Sequence, residues 1–298
     1  MDELVGKFGR RARLNEPMSR HTTFRIGGPA DVLVDVETRD ELRMLLGHAR
    51  ERSLPVTVLG RGANVLVADE GIRGVVVRLA GEFREIAFAG DGQTVDAGAG
   101  TSLGRLVAET VKVELSAFTW AAGIPGTVGG AVLTNAGSWG HAMSEFVETL
   151  TVMKRDGSEV TVPGTEVAFD YRSARLPVPD AVVCGVTLRL TSIDAGGRDA
   201  STLKAEYQAR KLRTQPLKLA SAGCVFRNPP GTGAGELIDR AGLKGLRVGG
   251  AVVSAVHANY LVNEGDATAA DVKRLIALVR ERVKEKFDVT LEPELILL

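Results

Sequence analysis

The stretch AGIPGTVGGAVLTNAG, residues 122–137, holds five glycines in sixteen residues and no charged side chain. Glycines placed this way let a backbone turn sharply or approach a ligand, leaving N–H groups that can face an anion. Two more loops repeat the theme: GRGANVLVADEG at 60–71 and GAGTSLG at 98–104. Any one of them reads equally well as tight turns of a β-rich domain. Three within about 80 residues point to a ligand, and amide nests of this kind suit a pyrophosphate. GAGTSLG follows a strand, opens a helix and is one insertion away from the dinucleotide fingerprint GxGxxG. The acidic residue that the fingerprint requires about 20 positions on has only Glu114 to fill it. The Walker pattern GxxxxGK[ST] is absent. A large cofactor spread over several loops fits better than a Rossmann site.

Working outward, residues 1–79 read as a small α/β unit. DVLVDVE (31–37) alternates like a strand, and Thr38 with Glu41 forms a capping box for a helix with Leu42, Leu45, Leu46 and Ala49 on one face. PVTVLG (55–60) and GVVVRL (74–79) read as strands. Between 80 and 199 the segments EIAFAG, QTVDAGAG, GAVLTNAG, ETLTVMKRDGSEVTV and AVVCGVTLRL read mostly as strands, with one helix at 103–114. DAGGRDA (194–200) is a polar, glycine-rich linker and marks the main boundary. The segment 200–289 alternates again and ends in an amphipathic helix begun by Thr268 and Asp271. Its apolar stripe is Val272, Leu275, Ile276, Val279, Val283 and Phe287, and Arg274, Arg280 and Lys284 form its solvated face.

Composition narrows the function classes. Among 298 residues, 44% are hydrophobic and 25% charged, as in a chain that buries a real core. Thirty-seven Lys+Arg balance 37 Asp+Glu without a basic run, which argues against nucleic-acid binding. No window approaches 18 consecutive apolar residues and the N-terminus has no apolar signal core, so a cytoplasmic protein without a membrane span is expected. His21, His48, His141 and His257 make no i, i+4 pair, and Cys184 and Cys224 have no metal-ligand spacing, so no metal site is expected. Cys184 sits in the β-branched run AVVCGVTLRL and reads as buried. Cys224, in SAGCVFRNP, lies between a glycine and an apolar pair; the glycine before it and the polar stretch FRNP after it read as a loop facing a ligand, and the bland alternative is a small buried hydrophobe.

HTTFRIGG, LGRGANVLVADEGIRGVVV, AGAGTSL, AGIPGTVGGAVLTNAG, YRSARLP, SAGCVFRNPPG, GLKGLRVGGAVVSAVHANYLVN and LEPE follow one another in the order seen in the UDP-N-acetylenolpyruvoylglucosamine reductases (MurB) of peptidoglycan synthesis. The chain resembles that family from about residue 18 to its C-terminus. The resemblance implies an α+β flavoprotein. A two-part FAD-binding region of the vanillyl-alcohol-oxidase (PCMH) type would span 1–79, joined by 290–298, and 80–199. A C-terminal α/β substrate-binding domain would span 200–289. Between Cys184 and Cys224 there is no room for the extra tyrosine-bearing loop of some members, so the shorter type II form is implied.

By the same resemblance, NADPH is the co-substrate that reduces FAD, and hydride then passes from flavin N5 to C3 of UDP-N-acetylglucosamine enolpyruvate. A proton reaches C2 to give UDP-N-acetylmuramate. A monomer is expected. Arg172 in YRSARLP matches the family's catalytic arginine, and Glu294 in LEPE its catalytic glutamate, whose role requires a carboxyl raised by burial; Glu292 is the surface neighbour. Cys224 stands where most members carry the serine that protonates C2, and a thiol remains mostly protonated at pH 7. The FAD site would comprise Gly60, Arg61, Gly62, Ala63, Asn64 and Val65, then Gly98 and Gly100. Gly123, Ile124, Pro125, Gly126, Val128, Gly129 and Gly130 would also belong to it, with Asn135 and Gly137. For the UDP diphosphate, Asn228, Arg213 and Arg227 are implied, with Arg210 and Lys211 also within the basic ARKLRTQP. His257 and Asn259 match the family without an assigned role. Two other readings stay open: an FAD oxidase or dehydrogenase of the same fold acting on alcohols or lactones, and a nucleotide-sugar binder that does not turn over.

Overall fold

The β-branched alternation of 29–36 builds the strand Pro29–Val36, and a cap just past its end sets the start of the next helix. Thr38 Oγ1 accepts from the Glu41 N–H at 3.2 Å, and the Glu41 carboxylate accepts from the Glu37 N–H at 2.8 Å. The helix Arg39–Glu51 therefore starts where the sequence places it, with Leu42, Leu45, Leu46 and Ala49 buried. The computed structural model describes residues 1–194 and 196–298; within the linker 194–200, Ala195 lies outside the described residues. The chain forms two compact units. The first comprises Met1–Leu14, Val32–Gly60 and Gly74–Ala209, and the second Asn15–Asp31, Arg61–Arg73 and Arg210–Leu298.

A four-stranded sheet runs in the order Ala12–Pro17, Pro29–Val36, Ile72–Leu79, Val56–Val58, the last two parallel with Val56 opposite Val75. Asp35 sits on a central strand between two arginines of the flanking strands. Arg13 Nη2 donates to it at 2.9 Å and Arg78 Nε at 2.7 Å. A second, antiparallel sheet has the order Glu159–Pro163, Val147–Met153, Val182–Arg189, Thr94–Gly98, Ile86–Phe88. Cys184, buried within it, is a free thiol. The helix Leu103–Lys112 is capped by Ser102 and buries Leu103, Leu106 and Val107, each worth roughly 1.5–3 kcal/mol of transfer free energy.

One expectation is corrected. GAVLTNAG does not continue the run of strands, because Val128–Leu133 is a helix capped by the Thr127 hydroxyl, which accepts from Gly130 N–H. The reason is tertiary packing. A Cβ on Gly129 would lie 2.8 Å from Ala99 Cβ, so a glycine lets this short helix rest on the end of strand Thr94–Gly98. Val128 and Val132 are fully buried there.

The second unit is an antiparallel sheet, Ala220–Cys224, Tyr260–Asn263, Ala251–Val253, Arg247–Val248, with the helices Ala234–Arg240 and Ala269–Phe287. The longer helix has the expected capping box of Thr268 and Asp271, and Asp69 accepts from the N–H groups of Ala269 and Ala270 at 2.7 and 3.0 Å. Val272, Leu275, Val279 and Val283 face a core shared with Phe226, Ile238 and Leu261. Arg280 is not only solvated: its Nε donates to the Leu291 carbonyl at 2.9 Å. The C-terminal pair Ile296–Leu297 runs parallel to Val65–Leu66.

Candidate functional site

Cys224 ends the strand Ala220–Cys224, where the register against Tyr260–Asn263 shifts between Ser221 and Cys224. Gly223 has φ +80°, a conformation L side chains rarely adopt, and this bulge re-aims the next residue. Cys224 emerges half-buried, opposite Tyr260 in the ladder. The Tyr260 hydroxyl hydrogen-bonds the Cys224 side chain.

The three residues after Cys224 are held from both sides. Val225 N–H donates to the Asn259 carbonyl at 2.9 Å. The buried Asn259 side chain then imitates a strand, its Oδ1 accepting from Phe226 N–H at 2.9 Å and its Nδ2 donating to the Phe226 carbonyl at 2.8 Å. On the other side, Arg227 N–H donates to the Glu292 carbonyl at 2.9 Å and Glu294 N–H to the Val225 carbonyl at 2.8 Å. The structure thus brings LEPE alongside CVFR, with Glu294 half-buried and close enough to Tyr260 to act on it electrostatically, while Glu292 is exposed. Asn64 joins the same cluster. Its Nδ2 donates to the Glu294 carbonyl at 3.3 Å and its own carbonyl accepts from Ile296 N–H at 3.1 Å.

The basic residues of the second unit that the sequence singles out sort by burial. Arg227 is half-buried, and its Nε has no hydrogen-bond acceptor among the described residues, an orphan that an anionic ligand would satisfy. Asn228 is exposed, and its Oδ1 accepts from Ala234 N–H at 3.0 Å, capping the helix Ala234–Arg240. Arg213 is exposed, whereas Lys211 is only 3% exposed. His257 accepts at Nδ1 from Asn259 N–H at 3.2 Å, and burial pushes its imidazole below the usual range, so it is neutral. Sequence reasoning missed Tyr260. The only signal was an aromatic between Asn259 and a β-branched strand, which does not say which strand lies opposite.

In the first unit, Arg172 occupies the tip of the hairpin Ala168–Asp170/Ser173–Arg175 with φ +59°, unusual for a non-glycine residue. Asn135 anchors that hairpin: its Nδ2 donates to the Asp170 carbonyl at 3.0 Å and its Oδ1 accepts from Ser144 N–H at 3.0 Å. The Arg172 guanidinium lies 5.4 Å from the Tyr171 ring and against Gly137, where a Cβ would come 3.2 Å from Nη1. Gly98 and Gly100 serve close approach. Cβ atoms there would fall 2.2 Å from the Phe83 carbonyl and 2.4 Å from the Leu79 carbonyl, and both amides are taken by backbone acceptors.

The remaining glycine loops keep some of their amides available, although Ile124, Val128, Gly129 and Gly130 spend theirs on protein acceptors. Among the described residues, the N–H groups of Arg61, Gly62, Ala63 and Asn64 donate to no protein acceptor, and neither do those of Gly123, Gly126 and Thr127. Such amides, in loops almost free of charge, fit a dinucleotide's pyrophosphate. With the matches that follow, the helix-and-strand architecture and these loops place the chain in a class: oxidoreductases with an FAD-binding fold of the PCMH type. Residues 30–163 match the family described as FAD binding domain. Alkyldihydroxyacetonephosphate synthase aligns with a TM-score of 0.50 at 12% identity, over 65% of this chain and 40% of its own, a likeness of fold alone.

Residues 215–298 match the family described as UDP-N-acetylenolpyruvoylglucosamine reductase, C-terminal domain. UDP-N-acetylenolpyruvoylglucosamine reductase 2 of Symbiobacterium thermophilum is 47% identical over 285 residues, covering 95% of this chain and 91% of that one. The reductase of Desulfosudis oleivorans is 44% identical, with 98% and 96% covered. The crystal structure of the Thermus caldophilus reductase superposes with a TM-score of 0.80 at 40% identity, over 96% of this chain and 97% of that one. The chain belongs to the UDP-N-acetylenolpyruvoylglucosamine reductase family.

Proposed function

We propose that this chain uses NADPH to reduce UDP-N-acetylenolpyruvoylglucosamine to UDP-N-acetylmuramate, a step of peptidoglycan precursor synthesis, with FAD as its resident cofactor. The observation that carries the reading is the gathering of Cys224, Tyr260 and Glu294 by the Asn259 clamp and the LEPE segment. Family membership supplies the substrate.

When bound, FAD supplies the redox chemistry, passing the two electrons of NADPH to the enolpyruvyl group. The protein's part is to hold charge and deliver a proton. Arg172 binds the enolpyruvyl carboxylate with its planar fork and stabilises negative charge that develops beside it. Cys224 gives its S–H proton to C2, which a thiol does more readily than a serine hydroxyl. Glu294, protonated or acting through a water, donates to the enolate. Arg227, Asn228 and Arg213 hold the diphosphate, with the orphaned Nε of Arg227 supporting the first assignment most directly.

Residues 60–65 and 123–130 cradle FAD, with Gly98 and Gly100 shaping the backbone behind the second loop and Asn135 and Gly137 setting Arg172. In functional terms, 1–79 with 290–298 and 80–199 serve the flavin and 200–289 the nucleotide sugar. The enzyme works as a cytoplasmic monomer with neither nucleic acid nor membrane as partner. Among the described residues no helix is long and apolar enough to cross a membrane.

Steady-state NADPH consumption by the flavin-loaded protein tests this reading. It should depend on the enolpyruvyl nucleotide sugar and yield UDP-N-acetylmuramate. Consumption indifferent to that substrate, or supported equally by simple alcohols, contradicts it.

A further inference from the structure

The reaction as proposed gives Tyr260 no part. Its side chain is nonetheless buried, at 7% exposure, edge-on to His257 at 4.9 Å between ring centroids and directly opposite Cys224 in the ladder. A buried phenol needs an acceptor for its O–H. Across the ladder, the sulfur of Cys224 is within its reach. Three titratable groups face it: Cys224, the Glu294 carboxylate and the neutral His257 imidazole. Burial, then the thiol and the carboxylate, push its ionisation well above the ordinary tyrosine range, so it remains a donor at every working pH. The bulge at Gly223 and the Asn259 clamp fix the backbone on both sides of the pair.

We propose that Tyr260 is a positioning residue for the proton transfer, its hydroxyl aiming the Cys224 thiol and stabilising the thiolate that remains after the proton has left. This rests on Cys224 being the proton donor. In the step, the S–H bond breaks and a C–H bond forms at C2 with the electron pair of the enolate. Sulfur keeps the S–H pair as thiolate, Tyr260 keeps its own proton, and solvent reprotonates the sulfur before the next turnover. A hydrogen bond to an ionised acceptor is about twice as strong as one to a neutral acceptor. The contact therefore strengthens as charge arrives on sulfur, which is the condition for accelerating a step.

Tyr260→Phe keeps the ring and removes the donor. In the holoenzyme, flavin reduction by NADPH should be unchanged, while reoxidation by the enolpyruvyl nucleotide sugar should slow about tenfold to hundredfold. A second readout needs no turnover: the pH profile for alkylation of Cys224 by iodoacetamide should move upward by about one to two pH units. Cys184 does not blur that profile, being 1% exposed with its thiol pushed up to about 12 by burial. A role in packing alone would leave the profile where it is.

The double variant Cys224→Ala/Tyr260→Phe should reoxidise no more slowly than Cys224→Ala, because the phenol acts through the sulfur. An unmoved alkylation profile, wild-type reoxidation in Tyr260→Phe, or further slowing in the double variant overturns the proposal. If Cys224→Ala itself reoxidises at the wild-type rate, the proton-donor reading fails first and takes this one with it. Slow Cys224→Ala beside normal Tyr260→Phe removes the role of Tyr260 alone.

Discussion

Arg172 shows what a single residue is asked to do. It holds a left-handed backbone conformation that costs a non-glycine side chain on the order of 1 kcal/mol, at the tip of a hairpin that Asn135 ties down. Nothing in the hairpin's own geometry calls for arginine there, since a glycine would meet the same turn without strain. On the proposed function, the side chain is there for its fork. Arg172→Ala should leave the NADPH half-reaction intact and slow substrate-dependent reoxidation by about 10²–10³, the usual cost of removing one electrostatic stabiliser of developing charge. Arg172→Lys should recover little of this, because an ammonium does not reproduce bidentate carboxylate binding. Stopped-flow absorbance checks both, and a variant whose defect lies in flavin reduction would contradict the assignment.

At the scale of elements, two interactions can be weighed. Asn259 satisfies both backbone groups of Phe226 in a buried place. Asn259→Ala leaves them without partners and should cost about 1–3 kcal/mol in urea unfolding, with the segment bearing Cys224 loosened first. Asp35 ties three strands together. Burial alone would raise its carboxyl, but hydrogen bonds from Arg78 and Arg13 outweigh burial and hold it below the usual range. A carboxyl lower in the folded than in the unfolded state contributes stability above about pH 4, lost as pH falls through the folded value. Asp35→Asn should therefore cost about 1–3 kcal/mol at pH 7 and progressively less below pH 4. Parallel unfolding curves at the two pH values check the sign.

The same elements show what could be read in advance. The caps at Thr38 and Thr268 are local, spanning three residues, and both were legible. The helix Val128–Leu133 was not, because six residues with two glycines carry no helical period and their conformation is set by packing on Ala99. Cys224 stood out from its neighbours alone, but its role, and Arg172 and Glu294 altogether, could be named only through the resemblance of whole motifs. Tyr260 sat inside a quoted motif but had no role there, since its place opposite Cys224 depends on which strands pair across 36 residues of chain. Asp69 capping a helix 200 residues away is the extreme case.

For the molecule as a whole, the charge balance of 37 against 37 gives no net charge to steer an anionic substrate, so on the proposed function recognition falls to local groups such as Arg227. The loops at 61–64 and 123–127 spend almost nothing on binding charge and keep most of their amides free for a cofactor. If they hold FAD, adding it to deflavinated protein should raise the melting temperature, by the equivalent of about 2.7 kcal/mol at a hundredfold excess over Kd. The central claim, that residues of this chain protonate C2 of an enolpyruvyl nucleotide sugar while the flavin carries electrons, is tested most directly by following flavin absorbance through the two half-reactions in wild type and Cys224→Ala. The predicted result is equal bleaching by NADPH in both proteins, with recovery on adding the enolpyruvyl substrate that is fast in wild type and about 10²–10⁴ slower in the variant. Equal recovery in the two proteins, or no flavin absorbance in either, would contradict the account.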